Sequence, residues 1–417
     1  MYAGERETAG LPREGEPERQ QTITRLLSEE LGAEIRQALA RGGQVLDEAA
    51  ERRIGQAVRD DLLGTGSLER LLANDAIENI CVNGCDAVWV RYADGSWHRS
   101  GPVADTDAEL VELIRTLATR TGGEERRFDR GVPRLNLQLP DGSRLFAVMA
   151  VSGRVSLTIR RHRHRRITMT ELVRLGVCDE SLSAFLAALV KARKNIVIGG
   201  GTNVGKTTVL TAFASEIPPW ERLVTIEDTF ELNLDADAVA HPNVVTMQAR
   251  EPNIEGVGGI DQAELVRWGL RMSPDRVIVG EIRGAEVIPM CNAMSQGNDG
   301  SLSTIHASTS RGVFTKLASY AAQSPERLSL EATNLMVASA VHFVVHLGWD
   351  TSGRRVIDSV REVVDADGAQ IVSNEVYQPG QDGHAVPATP LRAETIDDLI
   401  AAGLDPGAVA FPRWGAA

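Results

Sequence analysis

The chain has 417 residues, of which 43% are hydrophobic and 24% charged, and its formal net charge is −13. This composition is typical of a globular protein with two or three domains, and the acidic balance argues against general nucleic-acid binding. The apolar stretch 335–347 is too short to span a bilayer, and residues 1–20 lack a signal-peptide pattern, so we expect a cytoplasmic protein. Four cysteines lack zinc-site spacing and are expected to be reduced thiols: Cys81, Cys85, Cys178 and Cys291.

The first 166 residues predict three successive segments. Residues 1–20 are polar and predict a disordered tail, and apolar residues at helical spacing predict a helical segment over 21–73. Short alternating runs with turn residues between them predict an α+β domain over 74–166. Its last seven residues, 160–166, are all Arg or His and predict a basic linker; a nucleic-acid patch is the alternative, although no aromatic residues interleave it.

The remaining residues predict a larger domain and a C-terminal tail. Residues 167–348 alternate strand and helix patterns, which predicts a parallel-rich sheet with helices on both faces. Residues 349–417 are weaker in pattern and predict a hairpin, a Pro/Gly-rich connector and a short helix. The predicted fold class is therefore α/β, preceded by an α+β domain and a helical segment.

The strongest motif is Gly200–Thr207, which fits G-x-x-x-x-G-K-[ST] and follows a short apolar strand. Such a loop cradles nucleotide phosphates with backbone N–H groups and a helix N-terminus. Of 44 basic residues only four are lysines, and one is Lys206, where a thin ammonium must reach the β- and γ-phosphates. The alternative is a glycine-rich turn that binds nothing. The predicted phosphate-binding residues are Gly200, Gly201, Thr202, Asn203, Val204, Gly205, Lys206, Thr207 and Thr208.

Two later strands end in acidic residues. One ends in Glu227 and Asp228, and the next in Gly280 and Glu281. The carboxyl ends of parallel strands meet at the ligand-binding edge of a sheet, so these carboxylates are expected near the phosphates. Glu281 is expected to orient or deprotonate the water that attacks the γ-phosphate.

A histidine, His306, follows the predicted strand 301–305. It could contact the γ-phosphate or a neighbouring carboxylate and so report the nucleotide state. The alternative is a core histidine hydrogen-bonded to the backbone, and periodicity alone favours that alternative.

Four ordered motifs resemble those of the type II/type IV secretion ATPase superfamily, and the chain is most similar to the CpaF-like ATPases of tight-adherence pilus assembly. The resemblance covers about residues 70–365. The motifs are the phosphate loop, IEDTFEL (226–232), RMSPDRVIVGEIRG (271–284) and GNDGSLSTIHAS (297–308).

The resemblance implies a RecA-like P-loop domain that hydrolyses ATP with Mg²⁺. It implies that Glu281 lies in the Walker B motif, Glu227 and Asp228 in an acidic box, and His306 in a His box. Glu281, Glu227 and His306 would be catalytic. Thr207, Glu227 and Asp228 would bind the metal.

The resemblance also implies arginines and partners. Arg144 and Arg160 of the preceding domain would contact the γ-phosphate, and Arg250 and Arg271 are candidate trans-acting arginines. The family implies a homohexameric ring that docks on an inner-membrane platform protein, with no nucleic-acid partner. The implied function is an ATP-hydrolysing motor of a pilus or type II-like secretion machine, held at the inner face of the membrane through its partners.

Two departures from the family pattern leave other functions open. Asn298 replaces a histidine of the His box, and Val204 needs room beside the phosphates where small residues are typical. The alternatives are a conjugation-type or archaeal-flagellum-type secretion ATPase, a nucleotide-dependent DNA-binding protein, and a module that holds ATP without turnover.

Overall fold

A computed structural model of the chain describes residues 68–92, 95–120, 127–139, 141–161, 167–250, 252 and 256–409. The chain divides into two compact units, Met1–His162 and Arg163–Ala417. The predicted tail, nearly all of the predicted helical segment and most of the basic linker lie outside the described residues.

The first unit contains a six-stranded antiparallel sheet of order β3-β2-β1-β6-β5-β4. Its strands bury alternate residues: in β5, for example, Leu145 and Ala147 are buried whereas Phe146 is 43% exposed. The buried face shares one hydrophobic core with Leu110 and Ile114 of the amphipathic helix α2. The described elements are α1 (Glu69–Leu72), β1 (Ile77–Asn83), β2 (Val88–Tyr92), β3 (Trp97–Ser100), α2 (Asp107–Arg120), β4 (Arg134–Gln138), β5 (Arg144–Val148) and β6 (Ser156–Arg160).

The second unit contains a nine-stranded sheet of order β15-β14-β13-β12-β7-β11-β10-β8-β9. Its described helices and strands are α3 (Met169–Arg174), α4 (Glu180–Lys191), β7 (Ile196–Gly200), α5 (Lys206–Ala214), β8 (Leu223–Glu227), β9 (Val244–Gln248), α6 (Gln262–Gly269), β10 (Arg276–Ile282), α7 (Val287–Ser295), β11 (Leu302–His306), α8 (Gly312–Gln323), α9 (Leu330–Ala340), β12 (Phe343–Trp349), β13 (Arg355–Asp367), β14 (Gln370–Pro379), β15 (Ala385–Pro387) and α10 (Ala393–Ala401).

Six adjacent strands of this sheet, β12-β7-β11-β10-β8-β9, run parallel to one another. Every residue of β7 and β8 is buried. Ile196 and Ile198 pack in one core with α3, α4 and α5, whereas Val197 packs in a second core with α6 to α9. Helices therefore cover both faces of the sheet, which is the arrangement expected for parallel strands. The predicted α/β class with a parallel-rich sheet is confirmed.

The predicted C-terminal hairpin and short helix are present, and the hairpin is part of the second sheet. β13 pairs with β12, and β14 pairs with β13, so the hairpin extends the sheet that contains the phosphate loop. The buried carboxylate of Glu362 accepts hydrogen bonds from Arg392 and Thr395 and ties α10 to β13. The weak pattern of this region reflects its antiparallel edge position, where one face can stay polar.

No helix in the described part of the chain is both long and apolar enough to cross a membrane.

Candidate functional site

The phosphate loop joins β7 to α5 through a backbone that only certain residues can adopt. Asn203 has a φ of 65° and Gly205, just before the helix, a φ of 95°. A Cβ on Gly200 would lie 2.7 Å from Val204 Cγ2 and 2.9 Å from the Leu347 carbonyl oxygen, so a side chain there would not fit. Val204 is buried in the core. Its side chain also lies against Gly200 of the same loop, and the expectation that it needs room beside the phosphates stays a prediction.

Lys206 lies at the first position of α5 and is only 7% exposed. Its ammonium donates to the carbonyl oxygens of Gly201 at 2.8 Å and Gly200 at 3.2 Å. It also lies 3.2 Å from Nδ1 of His306. The ammonium is thus held over the loop on the side of β11, the neighbouring strand.

His306, at the end of β11, links the lysine to a carboxylate of the next strand. Its Nε2 lies 2.7 Å from Glu281 Oε1, and its Nδ1 faces the Lys206 ammonium. Burial lowers the pKa of His306, against the attraction of Glu281. A neutral imidazole suits this position because its Nδ1 can accept a hydrogen bond from the ammonium while Nε2 stays close to the carboxylate. The side chain contacts charged groups instead of the backbone, unlike the core histidine that periodicity favoured.

Arg283 joins the two acidic strand ends and was missed by the sequence analysis. Its guanidinium donates to Glu281 Oε2 at 2.7 Å and to Asp228 Oδ2 at 3.1 Å. Residues 281 and 283 are two apart at the end of an extended strand, so their side chains project on the same side. That spacing is the signal that could have identified Arg283. With His306 on one oxygen and Arg283 on the other, Glu281 is fixed in one orientation.

Glu227 is the most deeply buried of the predicted catalytic residues, at 3% exposure. Its Oε1 accepts from the backbone N–H groups of Glu231 and Leu232, while Oε2 has no hydrogen-bond partner among the described residues. Burial raises the pKa of Glu227 to about 8. A Cβ on Gly280 would lie 3.0 Å from Glu227 Cγ. Glycine therefore stands where a Walker B aspartate is usual, because it leaves space for a carboxylate from β8.

The oxygen donors at this edge fit a magnesium ion that is bound mainly through nucleotide phosphates. The described residues contain no cluster of three His, Cys, Asp or Glu side chains arranged to hold a metal. Magnesium commonly takes only one or two protein ligands and fills the rest of its shell with water and phosphate oxygens. Thr207 Oγ1 lies 3.4 Å from Glu231 Oε2, and Glu227 Oε2 is unpaired. Asp228, the third predicted ligand, instead pairs with Arg283.

Arg144 and Arg160 lie in the first unit, directly opposite each other on β5 and β6. Gln138 lies opposite Arg144 on the other side, and Asn79 opposite Arg160. These four side chains form one polar row across the face of the sheet that α2 does not cover. Two arginines at directly opposed positions repel each other, so the row is suited to bind an anion.

The structure does not bring Arg271 to the phosphate loop of its own chain. It lies in a 3₁₀ turn, Leu270–Met272, before the amino end of β10, whereas Glu281 lies near the carboxyl end of that strand. Arg250 follows β9 and donates through Nε to the Gly258 carbonyl oxygen. Asn298 donates to the Pro274 carbonyl oxygen at 2.6 Å, so it holds the turn before β11.

Comparisons with known proteins identify the family of the chain. The family profile described as type II/IV secretion system protein matches residues 61–379. The type IV secretion system protein PtlH of Bordetella pertussis is 31% identical over 324 residues, covering 70% of this chain and 92% of PtlH. The conjugal transfer protein TrbB of Rhizobium radiobacter is 32% identical over 285 residues, covering 67% and 79%.

One solved structure above a TM-score of 0.5 has the same fold. The pilus retraction motor PilT, solved with bound ADP, aligns with a TM-score of 0.53 at 17% identity, covering 72% of this chain and 83% of PilT. The VirB11 ATPase of Brucella suis, solved with sulphate, is 27% identical with a TM-score of 0.38 and covers 71% of this chain and 96% of VirB11. The narrower resemblance to tight-adherence pilus ATPases stays a prediction, because the relatives named here are type IV secretion and conjugal transfer proteins. With the profile matched across three quarters of its length, the chain belongs to the type II/IV secretion system protein family.

Proposed function

We propose that this chain hydrolyses ATP and uses the energy to drive a secretion or pilus-assembly machine. The observation that carries the proposal is the continuous set of contacts from Lys206 through His306 to Glu281, at the carboxyl edge of a parallel sheet. The imidazole ring of His306 thus lies between a cation that can hold phosphates and a carboxylate that can position water. Hydrolysis of a phosphoanhydride needs these two elements close together.

Each residue has a definite part in the proposed reaction. Lys206 exchanges its bonds to the loop carbonyls for bonds to the β- and γ-phosphates, and the N–H groups of the loop bind the remaining phosphate oxygens. Glu281, fixed by Arg283 and His306, accepts a hydrogen bond from the attacking water and orients it. Thr207 and Glu227, the latter once it has lost its proton, would hold Mg²⁺, which would supply positive charge to the phosphates.

The row of Arg144 and Arg160 supports a mechanical role. Arginines in a unit separate from the phosphate loop can sense the third phosphate, and losing that contact after hydrolysis frees one unit to move against the other. We propose that this movement is transmitted within a homohexameric ring to a membrane platform protein at the inner face of the cell membrane. The net charge of −13 supports a protein partner over nucleic acid.

The test is phosphate release by the purified full-length chain with Mg²⁺ and ATP. Lys206→Ala is expected to abolish release while the circular dichroism spectrum stays unchanged, because the lysine binds substrate and contributes little to the core. Lys191→Ala is the matched control, since this lysine lies at the end of α4 and pairs with Glu216. Equal turnover by Lys206→Ala and the wild type would overturn the proposal.

A second candidate is a motor for conjugal transfer, which the name of TrbB favours over pilus assembly. The two functions share the ATPase site and differ in what is exported. Deleting the gene and scoring surface pili and DNA transfer in the same strain separates them. Loss of pili with normal DNA transfer supports the pilus motor, and the reverse result supports conjugation.

A further inference from the structure

Two planar side chains, Trp349 and Arg355, lie beside the phosphate loop on the side away from the carboxylates. In the sheet, β7 lies between β11 and β12. His306, Glu281 and Glu227 end the strands on the β11 side, namely β11, β10 and β8. Trp349 and Arg355 belong to β12 and β13, on the other side. The loop therefore has chemically different neighbours on its two flanks.

The strand register places this pair at the loop. β12 runs parallel to β7 with Leu347 opposite Gly200, so Trp349 extends two residues past the end of β7. Trp349 lies directly opposite Arg355 in the antiparallel ladder, so both side chains project from one face. Arg355 reaches the helix start, since a Cβ on Gly205 would lie 3.7 Å from Arg355 Cδ.

The pair has the chemistry of a stacking surface. The guanidinium carbon of Arg355 lies 5.8 Å from the centroid of the Trp349 ring, within the range of a cation–π contact. The tryptophan nevertheless remains 51% exposed. A flat aromatic surface with an adjacent guanidinium is the arrangement on which nucleic-acid bases stack, regardless of base identity.

We propose that Trp349 and Arg355 bind the base of the nucleotide whose phosphates Lys206 holds. This inference rests on the proposed function. The Lys206 ammonium faces His306, so the terminal phosphate lies on the β11 side. The ribose and base then extend to the opposite flank of β7, past Gly205, where the pair lies. Because stacking depends on ring area rather than on hydrogen-bonded recognition, the site takes ATP and GTP alike and favours both over pyrimidine nucleotides.

The test is equilibrium binding of ATP, CTP and inorganic tripolyphosphate, each with Mg²⁺, to the full-length chain by calorimetry. Trp349→Ala is expected to weaken ATP binding by about 5- to 100-fold, the usual effect of removing one stacking aromatic. Arg355→Ala is expected to weaken it less. Tripolyphosphate, which has no base, is expected to bind each variant as it binds the wild type. Trp349→Phe is expected to restore most of the ATP affinity, because it keeps a flat ring.

Trp220→Ala is the matched control. Trp220 is 78% exposed and precedes β8 at the amino edge of the same sheet, so its loss is expected to leave ATP binding unchanged. Wild-type ATP affinity in both Trp349→Ala and Arg355→Ala would overturn the inference. An equal loss of ATP and tripolyphosphate binding would also overturn it, since the pair would then only support the loop. After either of these results, the proposed function would still stand if the wild type binds tripolyphosphate and Lys206→Ala does not. A wild type that binds none of the three ligands would contradict the inference and the proposed function together.

Discussion

The two sheets of this protein present polar residues in different places. In the first unit, one face of an antiparallel sheet is covered by α2, and Arg144 and Arg160 lie in mid-sheet on the other face. In the second unit both faces are covered, and the reactive side chains lie only where strands end. The number of covered faces thus decides where a sheet can expose charge.

The environments of the charged groups differ accordingly. At the edge of the second sheet, Glu281 is held by His306 on one oxygen and Arg283 on the other. In the first sheet the two arginines lie opposite each other with amide side chains on either side. The edge of the second sheet thus pairs acidic and basic groups, whereas the row of the first sheet places two arginines among amide side chains.

The largest expected effect is on turnover and concerns the carboxyl edge of the second sheet. Glu281→Gln removes the charge that orients the water but keeps the shape of the side chain, so ATP is expected to bind while turnover falls by about 10²- to 10⁴-fold. Phosphate release and calorimetry measure the two quantities separately. Glu331→Gln, an exposed site on α9, is the control. Wild-type turnover in Glu281→Gln would mean that this edge does not perform the chemistry.

An intermediate effect is expected for the polar row of the first sheet that contains Arg144 and Arg160. On the proposal that Arg144 and Arg160 both contact the γ-phosphate, Arg160→Ala is expected to slow hydrolysis by about 10- to 100-fold, because one of two charges on the transition state is lost. ADP affinity is expected to stay nearly unchanged, since ADP lacks the third phosphate. Arg99→Ala, an exposed arginine of β3 in the same sheet, is the control. Loss of ADP binding in Arg160→Ala would show that the row supports structure or general phosphate binding instead.

The smallest expected effect concerns the buried carboxyl of the edge. Burial raises the pKa of Glu227 to about 8 from its ordinary value of 4.5. Between these values the folded chain keeps a proton that the unfolded chain has lost, so this group lowers the free energy of unfolding as pH rises. Glu227→Gln is expected to make the decline from pH 5.5 to pH 8 shallower, as measured by urea unfolding.

The Glu331→Gln variant is expected to keep the full decline of the wild type over the same pH range. A Glu227→Gln variant whose decline matches that of the wild type would show that Glu227 is ionised at neutral pH. The carboxylate would then be available to bind Mg²⁺ without first losing a proton.

The sequence alone predicted the features that depend on residues close together in the chain. The phosphate loop is a contiguous motif, and Glu227, Glu281 and His306 each end a strand, so their common edge follows from the rule that parallel strands point the same way. The overall α/β class followed from the same alternation of strands and helices.

Features that depend on sheet order could not be predicted in this way. The place of Trp349 and Arg355 beside the loop requires that β12 pair with β7, which no local pattern specifies. The burial of Val204 depends on the path of the loop over the core, and the link from Arg283 to Asp228 joins residues 55 positions apart. The pairing that joins the predicted C-terminal hairpin to β12, and so extends the central sheet, is not specified by a local pattern either.

Gly280 has a consequence for substitution at the site. A Cβ there would lie 3.0 Å from Cγ of Glu227, so the buried side chain would have to give by a few tenths of an ångström to admit one. Any larger residue at position 280 is therefore expected to disturb the hydrogen bonds that the Glu227 carboxylate accepts from the backbone of Glu231 and Leu232.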